Sequence, residues 1–224
     1  MTKPRPTLLK SLFMVGEAEP SALFAAADAL VIDETQLDEE SEGRFSGFLD
    51  RLAVLIDPAD TDHLAETLAL AVKRGVAGVI LAPRCRMVDV QKADVLLSAS
   101  EAAQGLTLGA TRIIANVGDF ADSLLAAGRM AGASARLLAL AGSGHQLAQS
   151  LNIESGAAPL TVARGLVVLT AASAGVWALA EADESLSGAA FEKACLQDCA
   201  DGYCGKFVTS PEQVDTANRV FGNA

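Results

Sequence analysis

Positive charge is in short supply in this chain. Its 17 Lys and Arg face 28 Asp and Glu, which gives a formal net charge of −11 and a pI near 4.6. A non-specific nucleic-acid binder needs cations to displace counterions, so that class is excluded. Anionic ligands remain open, because a few local cations or backbone N–H groups can hold them. Cysteine is sparse too: Cys85, Cys195, Cys199 and Cys204 make no disulfide framework in a chain this long. The uncharged, apolar run between Arg164 and Glu181 is short for a membrane span and rich in Gly and Ala. Lys10 interrupts the apolar run after the basic start, so no signal peptide is expected. Linkers, repeats and low-complexity tracts are missing, apart from a short acidic loop around Asp38 to Glu42. What is present is apolar: 51% hydrophobic residues against 20% charged, enough to bury a substantial core. One cytoplasmic domain spanning 1–224 is the expectation.

Short apolar runs recur between Ala-rich stretches. LLKSLFMV (8–15), ALVIDE (29–34), LAVLID (52–57), GVILAP (78–83), TRIIANV (111–117) and ARLLALAG (135–142) read as strands buried on both faces, as parallel sheets require. Between them, 60–75 places Leu64, Leu68, Ala71 and Val72 on one helical face and ends with Lys73, Arg74 and Gly75, which suit the helix dipole and the C-cap. Further helices are expected over 87–104 and 119–131. The region 157–181 is ambiguous: GLVVLT fits a strand, or it continues a helix from Pro159 and leaves VWALAE as the strand. With KFVTS (206–210) the count is about eight βα units, the number that closes a (β/α)₈ TIM barrel. An open doubly wound sheet competes, but no glycine-rich dinucleotide fingerprint follows an early strand.

The clearest local grammar lies in GKFVTSPEQVDTANRVF (205–221). Ser210 stands at a helix N-cap, Pro211 at the first helical position and Gln213 three residues after the cap. A barrel carries its active site at the C-terminal strand ends. Those positions read Lys10, then Asp33 and Glu34, then Asp57, Arg84, Asn116 and Asp119, His145 and Gln146, and finally Glu181 and Ser210. No trio of metal ligands and no nucleophile–base pair stands out.

Several stretches resemble the HpcH/HpaI aldolase and citrate lyase beta-subunit family. KSLFMVGEAEPSALFAAADALVIDE is similar to its "RSLLFVPG" start and "ADAVILDLED" second strand, and GVAGVILAPRCRMVDVQKADVLL to its fourth βα unit. AGSGHQLAQSLNI resembles "GxxDLaxsLGi", and DGYCGKFVTSPEQVDTANRVF resembles the closing "GFDGKxxIHPxQIxxvNxxF". The resemblance covers nearly the whole chain and implies a TIM barrel, a helix at GLVVLT and a strand at VWALAE. It also implies a homo-oligomeric, Mg²⁺-dependent carbon–carbon lyase acting on a small-molecule carboxylate or CoA thioester. In such chemistry a divalent cation stabilises enolate charge and an Arg binds the carboxylate or carbonyl.

The family's chemical positions are nearly all changed. Lys10 stands for an Arg on strand one, and Leu55 for the Arg of "VRVN". Asn116 stands for the metal-binding Glu, and Gln146 or His145 for the metal-binding Asp. Thr35 and Gln36 replace the acidic pair of "DLED", whereas Asp33 survives, and Ser210 replaces the His of "IHP". Two amides for two carboxylates remove most of the charge that holds Mg²⁺. On this reading Lys10, Asp33 and His145 are the catalytic candidates, Arg84, Asn116 and Ser210 the substrate-binding ones, and no side chain is assigned to a metal. Three of them have a plainer role open to them: Ser210 a helix cap, Lys10 an ion pair with Asp33 or Glu34, Arg84 a solvated cation. Asp57 and Asp119 suit turns or helix starts and are also possible replacement ligands. The three C-terminal cysteines, C-x₃-C-x₄-C, are spaced for burial rather than zinc. A catalytically inactive member that binds a metabolite or a partner is the alternative.

Overall fold

Eight parallel strands pair in chain order and the eighth pairs with the first, closing a barrel. The computed structural model describes residues 9–16, 26–37, 41–142 and 144–222. The acidic loop at 38–40 and residues 17–25 of the opening motif lie outside them. The strands are β1 (Ser11–Met14), β2 (Ala29–Asp33), β3 (Leu52–Ile56), β4 (Gly78–Leu81), β5 (Arg112–Asn116), β6 (Leu137–Ala141), β7 (Trp177–Ala180) and β8 (Gly205–Val208). Around them run α1 (Ser41–Phe45), α2 (Leu64–Arg74), α3 (Met87–Ala103), α4 (Ala121–Ala126), α5 (Gly144–Leu151), α6 (Ala158–Ala174), α7 (Gly188–Asp201) and α8 (Pro211–Phe221). This is the expected (β/α)₈ barrel.

The apolar runs divide residue by residue, because successive strand side chains point to opposite faces. On β2, Leu30 and Ile32 pack outward with Leu64, Leu68 and the other helix residues, while Ala29 and Val31 pack inward with Ile80, Ile114 and Leu179. GLVVLT lies within α6, where Leu160, Ala163, Val167 and Ala171 face the sheet, and VWALAE supplies β7. α2 stops at Gly75, whose φ of +74° makes the left-handed C-cap. No helix among the described residues is long and apolar enough to cross a membrane.

One expectation is overturned. Lys10 precedes β1 and therefore stands at the N-terminal end of the barrel, remote from the mouth. Its backbone N–H donates to Asp28 Oδ2 at 2.8 Å and its Nζ lies 3.8 Å from Asp28 Oδ1, so its partner is neither Asp33 nor Glu34. Lys10 lies near the start of its run, and a parallel strand turns that end away from the mouth.

Candidate functional site at the barrel mouth

The C-terminal strand ends surround a cavity of about 340 Å³. Its floor comes from inward positions near the strand ends: Met14, Leu55, Ile80, Ala141 and Phe207. Asn116, Asp119 and Glu181 supply the polar side chains, and no Lys or Arg lines it among the described residues.

Asn116 is the last residue of β5 and faces inward like Ile114. Its Oδ1 is buried and finds no hydrogen-bond partner among the described residues. A buried acceptor left unpaired costs roughly 1–3 kcal/mol, and a bound cation or hydrogen-bond donor would relieve it. Asp119, 6% exposed, is carried in by an unusual backbone approach. A Cβ on Gly118 would meet Gly142 Cα at 2.5 Å, so the loops after β5 and β6 touch backbone to backbone. The N–H groups of Val117 and Gly118 both donate to Ala141 O, at 2.9 and 3.2 Å, which extends the ladder up to Asp119. Glu181 follows β7, and its Oε2 accepts the His145 N–H at 3.1 Å at the start of α5. That N-terminus favours a carboxylate, and the bond fixes where the carboxylate lies.

The other candidates are not brought into this cavity. Asp33 is exposed and caps a short 3₁₀ turn, its Oδ1 accepting from Thr35 N–H at 3.0 Å and Thr35 Oγ1 at 2.7 Å. Glu34 beside it has its carboxyl pKa raised by partial burial and by the charges of Asp33, Asp60 and Asp57. Asp57 caps its own turn through Ala59 N–H at 2.8 Å. The His145 ring is exposed, with Nε2 2.9 Å from Gln149 Nε2, and it lines an outer groove between α5 and residues 152–157. Arg84, at φ +56°, stacks on Phe120 with Cζ 4.0 Å from the ring centroid and approaches Asp122 at 3.8 Å, a rim position. Ser210 is the α8 N-cap, accepting the Gln213 N–H at 3.4 Å. The Gln213 side chain takes the Thr209 N–H at 2.8 Å and donates to Asp183 O and Leu186 O, tying the loop after β7 to α8.

Of the six predicted site residues, then, the cavity gathers Asn116 alone, and it adds Asp119 and Glu181. The family's Mg²⁺ ligand set is not here, and among the described residues no three His, Cys, Asp or Glu side chains converge on a point. The donors that are present are still of the right kind. Mg²⁺ is commonly held by one or two carboxylates, with waters and substrate oxygens completing the octahedron. Two carboxylates, an unpaired amide oxygen and no competing cation fit that pattern.

No protein-family model matches the chain, and no curated protein matches it. Solved structures do. RipC from Yersinia pestis superposes with a TM-score of 0.72 at 21% identity, covering 94% of each chain. A citrate lyase from Burkholderia xenovorans LB400 gives 0.80 at 12% identity over 96% of this chain and 77% of its own. The citrate lyase beta subunit from M. tuberculosis, complexed with oxaloacetate and magnesium, gives 0.68 at 17% identity over 96% and 97%. This chain has their fold. At such identities the likeness extends to the closed barrel and its helices, and the chemistry has to be argued from the cavity.

Proposed function

We propose that this chain is a divergent member of the HpcH/HpaI aldolase and citrate lyase beta-subunit family. On this reading it binds a small oxo- or hydroxy-carboxylate, or its CoA thioester, at the barrel mouth and acts there as a carbon–carbon lyase. The observation that carries the proposal is that, among the described residues, Asn116 Oδ1 is unpaired beside two carboxylates in a cavity lined by no cation. A carboxylate entering alone would meet only like charge. With a divalent cation held by Asn116, Asp119 and Glu181 it would meet a neutralised site. Such a cation, when bound, supplies Lewis-acid stabilisation of enolate charge. The chain's own part is positioning: the His145 N–H holds Glu181, the Gly118–Gly142 contact holds Asp119, and Met14, Ile80 and Phe207 exclude water and strengthen every charge interaction above them.

The test is a Mn²⁺ and Mg²⁺ titration of the purified protein, with and without oxaloacetate. Saturable binding in the micromolar to low millimolar range, tightened by the oxo acid and lost in Asp119→Asn, is expected. No binding under either condition would make the metal–enolate reading untenable. Leu55 favours a second reading, ligand binding without turnover, because it occupies the place of the expected Arg and lies in the cavity floor. Metal binding without cleavage of a CoA thioester would select that reading.

A further inference from the structure

The barrel has a second, larger cavity at its opposite end, about 490 Å³ in volume. It exists because the inward residues at the start of β2, β3 and β4 are Ala29, Ala53 and Gly78, too small to fill the interior that Ile114 and Leu138 approach from the far side. Arg112, the first residue of β5, enters this space and is only partly exposed. Its guanidinium makes no hydrogen bond or ion pair with any described residue. The two fully buried cations among the described residues are satisfied. Arg136 is bound by Glu101, Asp94 and Ser98, and Lys206 by Asp198 at 2.8 Å. At the cavity rim, Lys10 pairs with Asp28, and Arg51 donates to Ala27 O at 2.7 Å. Burial and the charge of Arg136 both push the Arg112 pKa down, as expected for a cation without a counter-ion.

We propose that this lower cavity is a second ligand site and that it takes an amphipathic monocarboxylate. The apolar body fills the space over Ala29, Ala53 and Gly78, and the carboxylate pairs with the Arg112 fork. Asp28 at the rim is already paired with Lys10, and Asp50 adds a further carboxylate there, so a single negative charge, matched to Arg112, suits the cavity. The volume lies in the range of small-molecule sites.

Calorimetry of octanoate against the full chain tests this, with 1-octanol as the uncharged control. Trp177, the single tryptophan, begins β7 at the same end of the barrel and serves as a fluorescent reporter. Saturable octanoate binding that shifts its emission is expected. Arg112→Met should weaken that binding about tenfold or more while octanol binding persists, which shows that the cavity survives the substitution. Ala53→Leu, filling the space from β3, should remove both ligands. Absence of saturable octanoate binding, or binding that both variants leave within about twofold, overturns the proposal.

Discussion

Asn116 is where single-residue chemistry can be read most directly, because its carbonyl oxygen is buried without a partner among the described residues while its neighbours are anionic. Replacing that amide by a carboxylate adds a charged oxygen donor without changing shape. Asn116→Asp should therefore tighten Mn²⁺ binding on the order of tenfold, and Glu181→Gln should weaken it by a similar factor. Gln146→Asp, the change that a family-based alignment recommends, should do nothing, because Gln146 is carried on α5 and does not line the cavity. Competition titration with a metal-sensitive dye checks all three. How far the site was legible follows from the same residues. Asn116 could be found because it ends a strand, and strand ends are marked by where an apolar run stops. Asp119 looked like an ordinary helix-start acid, since the touching of Gly118 and Gly142 that turns it inward is a contact between distant loops. Glu181 was visible at the end of its strand, but nothing local showed that α5 would hold its carboxylate. Ser210 shows the opposite case: all its grammar was local, and its hydroxyl indeed caps α8.

At the scale of elements, the sequence reads well wherever one segment decides its own structure and badly where distant segments meet. The α2 stripe and its Gly75 cap are local features, and both occur as expected. In LLKSLFMV a strand that starts at Leu8 or at Ser11 alike leaves Lys10 near its N-terminal end, so the run itself argues against a place for Lys10 at the mouth. Buried ion pairs between elements are hidden in sequence, and here one fixes α3 to the strands beside it. Glu101 is fully buried, bonded by Arg136 Nη1 at 2.7 Å and Nη2 at 2.6 Å and by the Gly109 and Thr111 N–H groups at 2.7 and 2.9 Å. Burial alone would raise its pKa, but these hydrogen bonds outweigh it and hold the carboxyl at about 2, below its ordinary 4.5. The unfolded chain then binds this proton more tightly. The stabilisation is complete above the ordinary value and disappears as pH falls through about 2. Glu101→Gln should cost about 3 kcal/mol near neutral pH, since it leaves a buried guanidinium short of its main counter-ion. The gap should shrink below pH 4.5, and the variant and the parent should converge only near pH 2. Urea melts across pH 2 to 7 would show it, and a gap that stays constant across that range would contradict the assignment. Gly118→Ala tests the mouth in the same way: a Cβ there must push the loops after β5 and β6 apart, costing about 1–3 kcal/mol and weakening metal binding along with Asp119's placement.

For the whole molecule the governing quantity is a net charge of −11. Self-repulsion of that size destabilises the compact state, and monovalent salt screens it over a Debye length of about 8–10 Å. The melting temperature should therefore rise with NaCl before any specific ligand is added. The same repulsion makes every divalent cation a general stabiliser, so a metal-induced shift is informative only at matched ionic strength. Under that condition screening is equal in all samples, and what remains is binding to the folded state. A ligand at a hundred times its Kd adds about 2.7 kcal/mol, on the order of 5–10 °C for a chain of this size. Mn²⁺ should give such a shift in the parent protein and none in Asp119→Asn. Equal shifts in both would mean that the ions act on the acidic exterior, among groups such as Glu34, Asp57 and Asp60, and that the mouth cavity holds no metal.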